Sequence, residues 1–468
     1  MTKHTTDLED LGFSIRTFDE LTAEQIQQQY GETIWVDEEK KQVDENEFAR
    51  AFRDIMGLQY HNGLFYTKNG KATEEVLSRE IWEIIADAGI NRNVEATVKR
   101  LMGAVKLAST ISGFTISDTL IPFDNGDVRL DTMEFRENDY APTAYRLRTG
   151  LSYNYGSMPH FSKWLSDLFC EEDIPTIQEY LGYCLVPSTK AQKSLFLVGE
   201  GGAGKSVLGV VLEAMLGEAM LSVSNTQEFL QGNFKLAELE HKLVLYDDDM
   251  DNAALTSTGL YKKLITNNIA ITAERKYGQP FKFTPHVKLI ACCNEMLTSA
   301  YDNTEGFYRR LLPVIIKPKA EDFKPDLNFY SKVRAEAPTI VQWALIGLLR
   351  LRQNEWVLSE SQRSRDYLAN KRSIGNHFPD FMRSVFEFHP DYRCSSADIQ
   401  AVYQVWCRQN ACDPRKPKAV QTWMNDNAEK YKLVSSTNIP SGDKRVRGYI
   451  GLRIRDEWKI SSSVISIK

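Results

Sequence analysis

One stretch decides the fold, and it reads Leu195-Phe196-Leu197-Val198-Gly199-Glu200-Gly201-Gly202-Ala203-Gly204-Lys205-Ser206. An apolar run breaks here into a glycine loop that ends in Lys-Ser, which fits the spacing G-x-x-x-x-G-K-[ST]. The flanks predict a buried strand over residues 194–198 and an apolar helix over residues 207–216. A chance glycine turn is the alternative, but both flanks and the complete spacing favour a phosphate-binding loop.

The residue types of this loop suit a bound nucleoside triphosphate. Glycines let backbone N–H groups turn toward phosphate oxygens, and the N-terminus of the following helix adds partial positive charge. Lys205 is expected to reach the β- and γ-phosphates of ATP, and Ser206 to ligate Mg²⁺. The predicted nucleotide-binding residues are Gly199, Gly201, Gly202, Ala203, Gly204, Lys205 and Ser206.

A second apolar run, over residues 242–246, ends in three consecutive carboxylates. In a sheet shared with the loop, one carboxylate holds the Mg²⁺ shell and its neighbour orients or deprotonates the attacking water. We assign Asp247 to the metal and Asp248 to the water. Asp249 is the alternative for the second role, because a register error of one residue exchanges the two positions. An acidic turn that only ends the strand is the alternative for the whole triplet.

A third apolar run, over residues 285–293, ends at Asn294. In many ring-forming ATPases a strand placed between the first two presents such an amide to the γ-phosphate. Asn294 is therefore the candidate sensor of that phosphate. An Asn that follows a strand is otherwise a common turn residue, and it is the order of the three elements that favours the sensor role.

Residues 268–283, between the second and third strands, predict a hairpin with its tip at residues 276–279. Arg275 and Lys276 offer positive charge for a phosphate, and Tyr277 offers a ring for stacking on a base or sugar. A solvated surface hairpin is the alternative. Insertion into a nucleotide-binding core favours a hairpin that grips one nucleic-acid strand.

Paired arginines, Arg309 and Arg310, stand directly before a further apolar run. An arginine presented by a neighbouring subunit can neutralise the charge that builds on the γ-phosphoryl group. Hydrolysis would then depend on assembly. An arginine pair bound to surface carboxylates is the alternative.

Composition restricts the class of protein. The chain has 468 residues, of which 42% are apolar and 26% charged, and its net charge of −6 argues against a uniformly basic nucleic-acid coat. The seven cysteines form no C-x-x-C pair, so we expect a reducing, cytoplasmic environment. His389, Cys394, Cys407 and Cys412 cluster in sequence without a familiar zinc spacing, which favours core cysteines. Neither a signal region nor a membrane span is expected.

Four regions follow from the pattern along the chain. Residues 1–110 predict a mostly helical domain, with helices over residues 47–56, 74–88 and 94–109. Residues 111–190 predict a small strand region, with a turn at Asn125-Gly126-Asp127, plus a helical collar, and residues 191–370 predict the ATPase domain. The apolar residues of the helical segment 161–185 fit packing within the chain and a subunit-contacting collar equally well. Residues 379–468 form the fourth region, with 15 Lys and Arg against 10 Asp and Glu, a local charge of +5.

This fourth region predicts helices over residues 378–388, 395–409 and 417–431, the second with Ser395 or Ser396 as its N-cap. A basic two-stranded hairpin follows them, which indicates a winged helix. The third helix carries Lys418, Gln421, Thr422 and Asn425 on or near one face, where it could enter a major groove. Lys444, Arg445 and Arg447 on the wing would meet phosphates. A winged helix that binds protein is the alternative, and the local positive charge favours DNA.

Together these motifs resemble a superfamily 3 helicase of the AAA+ class. The residues that carry the resemblance are the glycine loop, the acidic strand end, the E-R-K-Y hairpin that leads into H-V-K-L-I-A-C-C-N, and G-F-Y-R-R. Within that class the chain is most similar to the phage, plasmid and poxvirus primase-helicase group, and to replication initiators of mobile elements such as staphylococcal pathogenicity islands. Upstream, residues 121–131 are similar to the F-x-N-G-x-x-D-L stretch that precedes these ATPase domains.

The resemblance implies an α/β fold with an AAA+ type P-loop core, a helical N-terminal region and a C-terminal winged helix. It implies a hexameric ring around one DNA strand, movement from 3′ to 5′, and a hairpin in the central channel. Arg310, and less surely Arg309, matches the arginine finger. Viral members often have His where this chain has Tyr277, so that DNA contact is not carried over. No zinc ribbon and no polymerase carboxylate set is evident upstream, which argues against primase activity.

We therefore predict ATP-dependent unwinding of DNA at a replication origin of a mobile element. The expected cofactors are ATP and Mg²⁺, and the expected partners are single- and double-stranded DNA, further copies of the chain and host replication proteins. The alternative is an origin-binding scaffold that uses ATP for assembly without processive unwinding.

Overall fold

The computed structural model describes residues 7–17, 36–37, 42–61, 63–67, 70–112, 116–141, 143–229, 233–250, 258–266, 269–275, 279–296, 305–319, 326, 328–375, 378–410, 414–441 and 444–458. The chain forms two compact units, and the glycine loop belongs to the first. The first unit comprises residues 1–252, 259–296 and 309–364, and the second comprises residues 253–258, 297–308 and 365–468.

The strands are, in chain order, β1 (Ser14–Thr17), β2 (Val36–Asp37), β3 (Gln42–Val43), β4 (Gln59–His61), β5 (Leu64–Thr67), β6 (Gly70–Ala72), β7 (Leu120–Phe123), β8 (Gly126–Arg129), β9 (Glu134–Glu137), β10 (Ser194–Val198), β11 (Leu221–Val223), β12 (Val244–Asp247), β13 (Ile271–Ala273), β14 (Phe281–Phe283), β15 (Lys288–Cys293), β16 (Leu311–Ile315), β17 (Phe386–Ser395), β18 (Val434–Ser441) and β19 (Lys444–Ile454). The α-helices are Glu45–Met56, Glu74–Asp87, Val94–Ser109, Pro159–Leu168, Ile174–Tyr183, Val207–Leu216, Thr226–Phe229, Asn233–Ala237, Thr258–Ile265, Glu305–Tyr308, Phe329–Ala335, Ala337–Gln353, Gln362–Gly375, Phe378–Val385, Ser396–Gln409, Pro417–Asp426 and Ala428–Tyr431. Short 3-10 helices cover Glu171–Asp173 and Asp456–Trp458. In the described part of the chain, no helix has the length and apolarity needed to cross a bilayer.

A five-stranded parallel sheet forms the centre of the first unit, in the order β11-β12-β15-β10-β16. β10, β12 and β15 are buried along their whole length, as expected of parallel strands that are covered on both faces. These are the three apolar runs predicted from the sequence. The expected position of β15 between the other two is confirmed by the strand order.

The two helices that precede the glycine loop lie inside the first unit. Pro159–Leu168 and Ile174–Tyr183 bury their apolar residues in the same core as the central sheet. Ile174–Tyr183 approaches Ala337–Gln353 so closely that a Cβ at Gly182 would lie 2.3 Å from the Ala344 carbonyl oxygen. This segment therefore packs within the chain, and a subunit-contacting collar stays a prediction.

The predicted Asn-Gly-Asp turn joins the antiparallel strands β7 and β8. The side-chain amide of Asn125 donates to the Leu151 carbonyl at 2.9 Å and accepts from the Leu151 N–H at 2.8 Å. The fully buried Asp127 accepts from Arg146 Nη1 at 3.0 Å and from the Ala141 N–H at 2.7 Å. Because a carboxylate is buried stably only when it is paired, this motif has a structural role in the first unit.

Three helices near the N-terminus share a separate core. Its buried residues include Phe48, Phe52, Ile81, Ile85, Leu101 and Val105. The helix predicted to start at Glu47 starts at Glu45, because the Asp44 carboxylate accepts from the Asn46 and Glu47 amides and caps it there. The helix Val94–Ser109 has the predicted bounds.

The second unit combines helices with a three-stranded antiparallel sheet in the order β17-β19-β18. Of the two expected N-caps for the second helix, Ser395 is the one observed: its hydroxyl accepts from the Asp398 N–H, and the helix covers Ser396–Gln409. The expected helix over residues 378–388 ends at Val385, and the strand β17 that follows was not predicted. The expected third helix, over residues 417–431, is interrupted at Asn427.

Lys288, at the start of β15, is a buried amine. Its Nζ donates to the carbonyl oxygens of Val186 at 2.6 Å and His286 at 3.1 Å, and it lies 5.3 Å from the centre of the Tyr183 ring. Burial lowers the pKa of Lys288 to about 7, and the nearby Cys184 opposes that shift. The amine ties the segment before β10 to the start of β15 at the amino edge of the sheet.

Stability is expected to depend on pH through Lys288. Its pKa is lower in the folded chain than the ordinary value of 10.5, so above about pH 7 the unfolded chain holds a proton that the folded chain has lost. The contribution of Lys288 to stability therefore rises from about pH 7 to pH 10 and is lost as the pH falls. Thermal unfolding should therefore be compared for wild type and Lys288→Met. The free energy of unfolding of wild type, relative to that of the variant, should rise by about 1 kcal/mol per pH unit.

The exposed Lys163 provides the matched control. Lys163→Met should keep a constant difference from wild type across the same pH range. A constant difference for Lys288→Met as well would contradict the shifted pKa of the buried amine.

Candidate functional site

The glycine loop connects the carboxyl end of β10 to the helix Val207–Leu216. Gly202 and Gly204 have φ values of +76° and +97°, the left-handed region that favours glycine. A Cβ at Gly199 would lie 2.2 Å from Ile316 Cγ1, so a side chain does not fit there. Glu200, Gly201, Gly202 and Ser206 are exposed, and Ala203 packs partly against the core. The loop thus presents backbone and a helix N-terminus to solvent, an arrangement that binds anions.

Lys205 is held inside this loop. Its side chain is buried, and its Nζ donates to the carbonyl oxygens of Gly199 and, at 3.0 Å, of Glu200. Both acceptors are neutral. The ammonium therefore lies within the loop with its full charge available to an anion that binds there.

Trp164 supports the glycine loop through a hydrogen bond, a role that the sequence did not predict. Its indole Nε1 donates to the Gly204 carbonyl at 3.0 Å. The ring belongs to an aromatic cluster with Phe161 and Phe169 in the core. The only signal in the sequence was an apolar helical stripe, which does not indicate what an indole N–H binds.

The acidic end of β12 lies at the same edge of the sheet. Asp247 is 3% exposed, and its Oδ2 accepts from the Thr226 N–H at 2.7 Å. Burial raises the pKa of Asp247, and the Thr226 N–H opposes the rise. Asp248 and Asp249 are exposed. The first carboxylate is therefore fixed, and the next two are accessible.

Asn294 is exposed directly after β15. Val198 at the end of β10 pairs with Cys293, and the Gly199 N–H donates to the Cys293 carbonyl at 3.1 Å. Burial raises the pKa of Cys292 to about 11, while Lys205 lowers it and both Asp248 and Asp247 raise it further. The loop, the carboxylates and Asn294 are thus brought together at the carboxyl edge of the sheet.

The paired arginines lie at the opposite, amino edge. The Ser194 N–H at the start of β10 donates to the Arg310 carbonyl at 2.8 Å. The five residues of β10 separate this edge from the glycine loop, a distance of about 16 Å. Arg310 is buried, with its Nη2 donating to Thr266 Oγ1 at 3.1 Å, whereas Arg309 is exposed.

The hairpin expected to grip nucleic acid is present as the antiparallel pair β13 and β14. Lys276 and Tyr277 lie outside the described residues. Arg275 is engaged within the first unit: its guanidinium forms an ion pair with the buried Glu240, although 38% of the arginine side chain is exposed.

In the second unit, Lys418, Lys444, Arg445 and Arg447 are all exposed. Asn425 is already engaged, because its Oδ1 accepts from the Tyr449 hydroxyl at 2.8 Å. Gln421 and Thr422 remain exposed on the same helix. Across the described ranges, no group of three or more His, Cys, Asp or Glu side chains is arranged to hold a metal ion, and Cys412 lies outside them.

Comparisons with known proteins find two kinds of similarity, one to a protein family and one to solved structures. Residues 197–310 match a family described as "Family of unknown function (DUF5906)". Three apo structures of the NrS-1 C-terminal region, two of them comprising its residues 305–718, are similar to this chain at 10%, 11% and 12% identity, with TM-scores of 0.48, 0.45 and 0.48. The matches cover 85%, 84% and 87% of this chain and 96%, 96% and 99% of those chains. No curated protein matches.

The hydrogen bond from Trp164 should restrain the glycine loop. Trp164→Phe keeps the ring in the core but removes the donor to the Gly204 carbonyl, and a hydrogen bond contributes about 1 kcal/mol. Hydrogen–deuterium exchange of residues 199–206 should therefore become roughly fivefold faster, since the local opening free energy falls by that amount. Trp343→Phe, which alters the same aromatic cluster, is the control and should leave exchange in the loop unchanged. Equal exchange in Trp164→Phe and wild type would exclude the supporting role.

Proposed function

We propose that this chain is an ATP-dependent DNA helicase of superfamily 3 with an AAA+ core, which assembles as a ring and initiates replication of a mobile element. The observation that carries the proposal is the shared carboxyl edge of the sheet. There the glycine loop, two accessible carboxylates and a polar amide follow the carboxyl ends of three neighbouring parallel strands. Phosphoryl transfer needs this combination of positioned charge and oriented water.

The loop would bind the triphosphate through its exposed backbone. Lys205 now donates to two neutral carbonyl oxygens. It gains stronger, charge-assisted bonds by turning the same ammonium toward phosphate oxygens. Binding is therefore expected to draw the lysine from Gly199 and Glu200 without first breaking an ion pair.

The donor set fits Mg²⁺, which prefers hydroxyl and carboxylate oxygens. Ser206 would supply the exposed hydroxyl and Asp247 the fixed carboxylate. When bound, Mg²⁺ neutralises charge on the β- and γ-phosphates. The exposed Asp248 would orient or deprotonate the attacking water, and the exposed Asn294 would hold the γ-phosphate and that water.

Hydrolysis would require a second copy of the chain. Within one copy, both arginines lie about 16 Å from the loop, at the opposite edge of the sheet. An arginine of a neighbouring copy would therefore have to complete the site. The two edges suit a head-to-tail ring, in which each copy gives an arginine to one neighbour and receives one from the other. Since Arg309 is exposed and Arg310 is buried against Thr266, Arg309 is the better placed of the two.

DNA would be bound at two places. The tip of the β13–β14 hairpin carries Lys276 and Tyr277 and would hold one strand. The second unit, as a winged helix, would bind duplex at the origin through phosphate contacts from Lys418, Lys444, Arg445 and Arg447. With Asn425 bonded to Tyr449, Gln421 and Thr422 are the exposed side chains left to contact base edges.

The central test is hydrolysis by the purified chain. Phosphate release from ATP and Mg²⁺, with and without single-stranded DNA, should fall at least about 100-fold in Lys205→Ala, because the charge at the γ-phosphate is lost. Lys163→Ala, at an exposed lysine on a neighbouring helix, should retain wild-type turnover. Wild-type protein that hydrolyses no ATP in either condition would contradict the proposal, and origin binding without hydrolysis would identify a scaffold.

The arginine contribution is tested by mixing inactive variants. Arg309→Ala should bind nucleotide normally and lose roughly 1000-fold in kcat, the loss typical of a missing arginine finger. Equimolar mixing with Lys205→Ala should restore part of the activity, since an intact loop then meets an intact arginine. Arg310→Ala should instead lower the thermal midpoint, because it removes a buried hydrogen bond.

Wild-type turnover in Arg309→Ala would exclude that residue as the finger. Arg310→Ala would then be tested in the same way, by its turnover alone and after mixing with Lys205→Ala. Failure of both mixtures to regain activity would contradict donation between copies.

A further inference from the structure

Arg275 and Glu240 form an ion pair at the base of the β13–β14 hairpin. Arg275 Nη2 bonds to Glu240 Oε2, and the carboxylate side chain is only 3% exposed. Burial raises the pKa of Glu240, while Arg275 and then Lys71 oppose the rise. Because a carboxylate left buried without its partner is strongly unfavourable, the guanidinium is held in place.

The guanidinium also contacts the returning strand of the hairpin. Arg275 Cζ lies 4.2 Å from the centre of the Phe281 ring. Ala273 and Phe281 are the last paired residues before the tip. The arginine therefore lies where the two strands leave the body of the first unit, and it binds both the unit and the hairpin.

The segment that carries Glu240 is itself anchored. The Glu240 carbonyl accepts from Lys71 Nζ at 3.3 Å, and the Tyr66 hydroxyl is 2.6 Å from His241 Nε2. Burial lowers the pKa of His241 to about 3, so its ring is neutral near pH 7 and shares a hydrogen bond with the Tyr66 hydroxyl. Lys242 Nζ donates to two carbonyl oxygens, those of Glu218 and Leu221.

This anchored segment continues directly into the strand that ends at the carboxylates. Residues 240–242 precede β12, which runs from Val244 to Asp247. Arg275 is therefore linked to Asp247 first through its ion pair with Glu240 and then through the buried strand β12. A displacement of the hairpin base would be resisted by the same elements that position Asp247.

From this geometry we infer that Arg275 is a positioning residue and not a DNA contact. Together with Glu240 it clamps the hairpin to β12, and it thereby couples movement of the hairpin on DNA to ATP hydrolysis. This inference rests on the proposed function. The charge of Arg275 is compensated by Glu240, so the tip retains only Lys276 as its positive charge for phosphate.

Salt dependence of DNA binding separates a phosphate contact from a positioning role. Affinity for an oligothymidine should be measured by fluorescence anisotropy over a range of salt for wild type, Arg275→Gln, Glu240→Gln and Lys276→Ala. Loss of one phosphate contact reduces the slope of log K against log salt by about 0.7 on a single strand. We expect this reduction for Lys276→Ala and an unchanged slope for Arg275→Gln.

Coupling is measured as base pairs separated per ATP hydrolysed. Arg275→Gln and Glu240→Gln should each keep ATP turnover without DNA within about twofold and lower this ratio roughly tenfold, which corresponds to about 1.4 kcal/mol of lost coupling. The double variant should be no worse than either single variant, because both remove the same interaction.

The control is Arg350→Gln, which breaks the ion pair between Arg350 and Glu179. The two pairs are matched in burial: the arginine side chains are 39% and 38% exposed, and the glutamate side chains are 2% and 3% exposed. It should lower the thermal midpoint to a similar extent and leave the base pairs separated per ATP unchanged. An equal loss of coupling in Arg350→Gln would reduce Arg275 to a general structural role and overturn the inference.

A reduced salt slope in Arg275→Gln would also overturn it, by showing a phosphate contact. So would additive losses of coupling in the double variant. Wild-type protein without ATPase or strand separation would contradict the proposed function instead, and it would remove the coupling on which the inference rests. The salt slopes would still decide whether Arg275 contacts DNA.

Discussion

The parallel pairing of β10 with β15 on one side and β16 on the other is the constraint on which the rest of the structure depends. Parallel strands end at a common edge, so this pairing alone places the glycine loop beside Asn294. The next neighbour, β12, adds its carboxylates to the same edge. Open α/β sheets commonly bind ligands outside the carboxyl ends of their strands, and the candidate site follows that rule.

The same pairing separates the two kinds of charge that phosphoryl transfer needs. Lys205 and the carboxylates lie at one edge, while Arg309 and Arg310 lie at the other, a full strand length away. A single copy therefore holds an incomplete set of groups for the chemistry we propose. Under the proposed function, this asymmetry would be a physical reason for assembly, since a second copy could present its amino edge to the first copy's carboxyl edge.

Buried polar contacts connect the segments around the sheet. Lys288 joins the segment before β10 to β15, Asp127 and Arg146 hold the strands upstream, and Glu240 and Arg275 hold the hairpin. The last two are ion pairs, in which each buried carboxylate is tolerated because its partner is present, whereas the buried Lys288 has neutral carbonyl partners and a lowered pKa. Several motifs that mark a resemblance to helicases thus have structural roles in addition to any catalytic one.

The sequence alone determined the local elements and the glycine loop between a strand and a helix, because apolar period, glycine spacing and caps act over a few residues. It correctly predicted β10, β12 and β15 and the helix Val94–Ser109, and of the two caps that it offered, Ser395 and Ser396, the structure has Ser395. Only the tertiary structure decided that Trp164 supports the loop, that Arg275 is paired with Glu240, that Arg310 is buried and that β17 joins a sheet. These features depend on partners distant in sequence, and no local pattern records which side chains the folded chain will bring together.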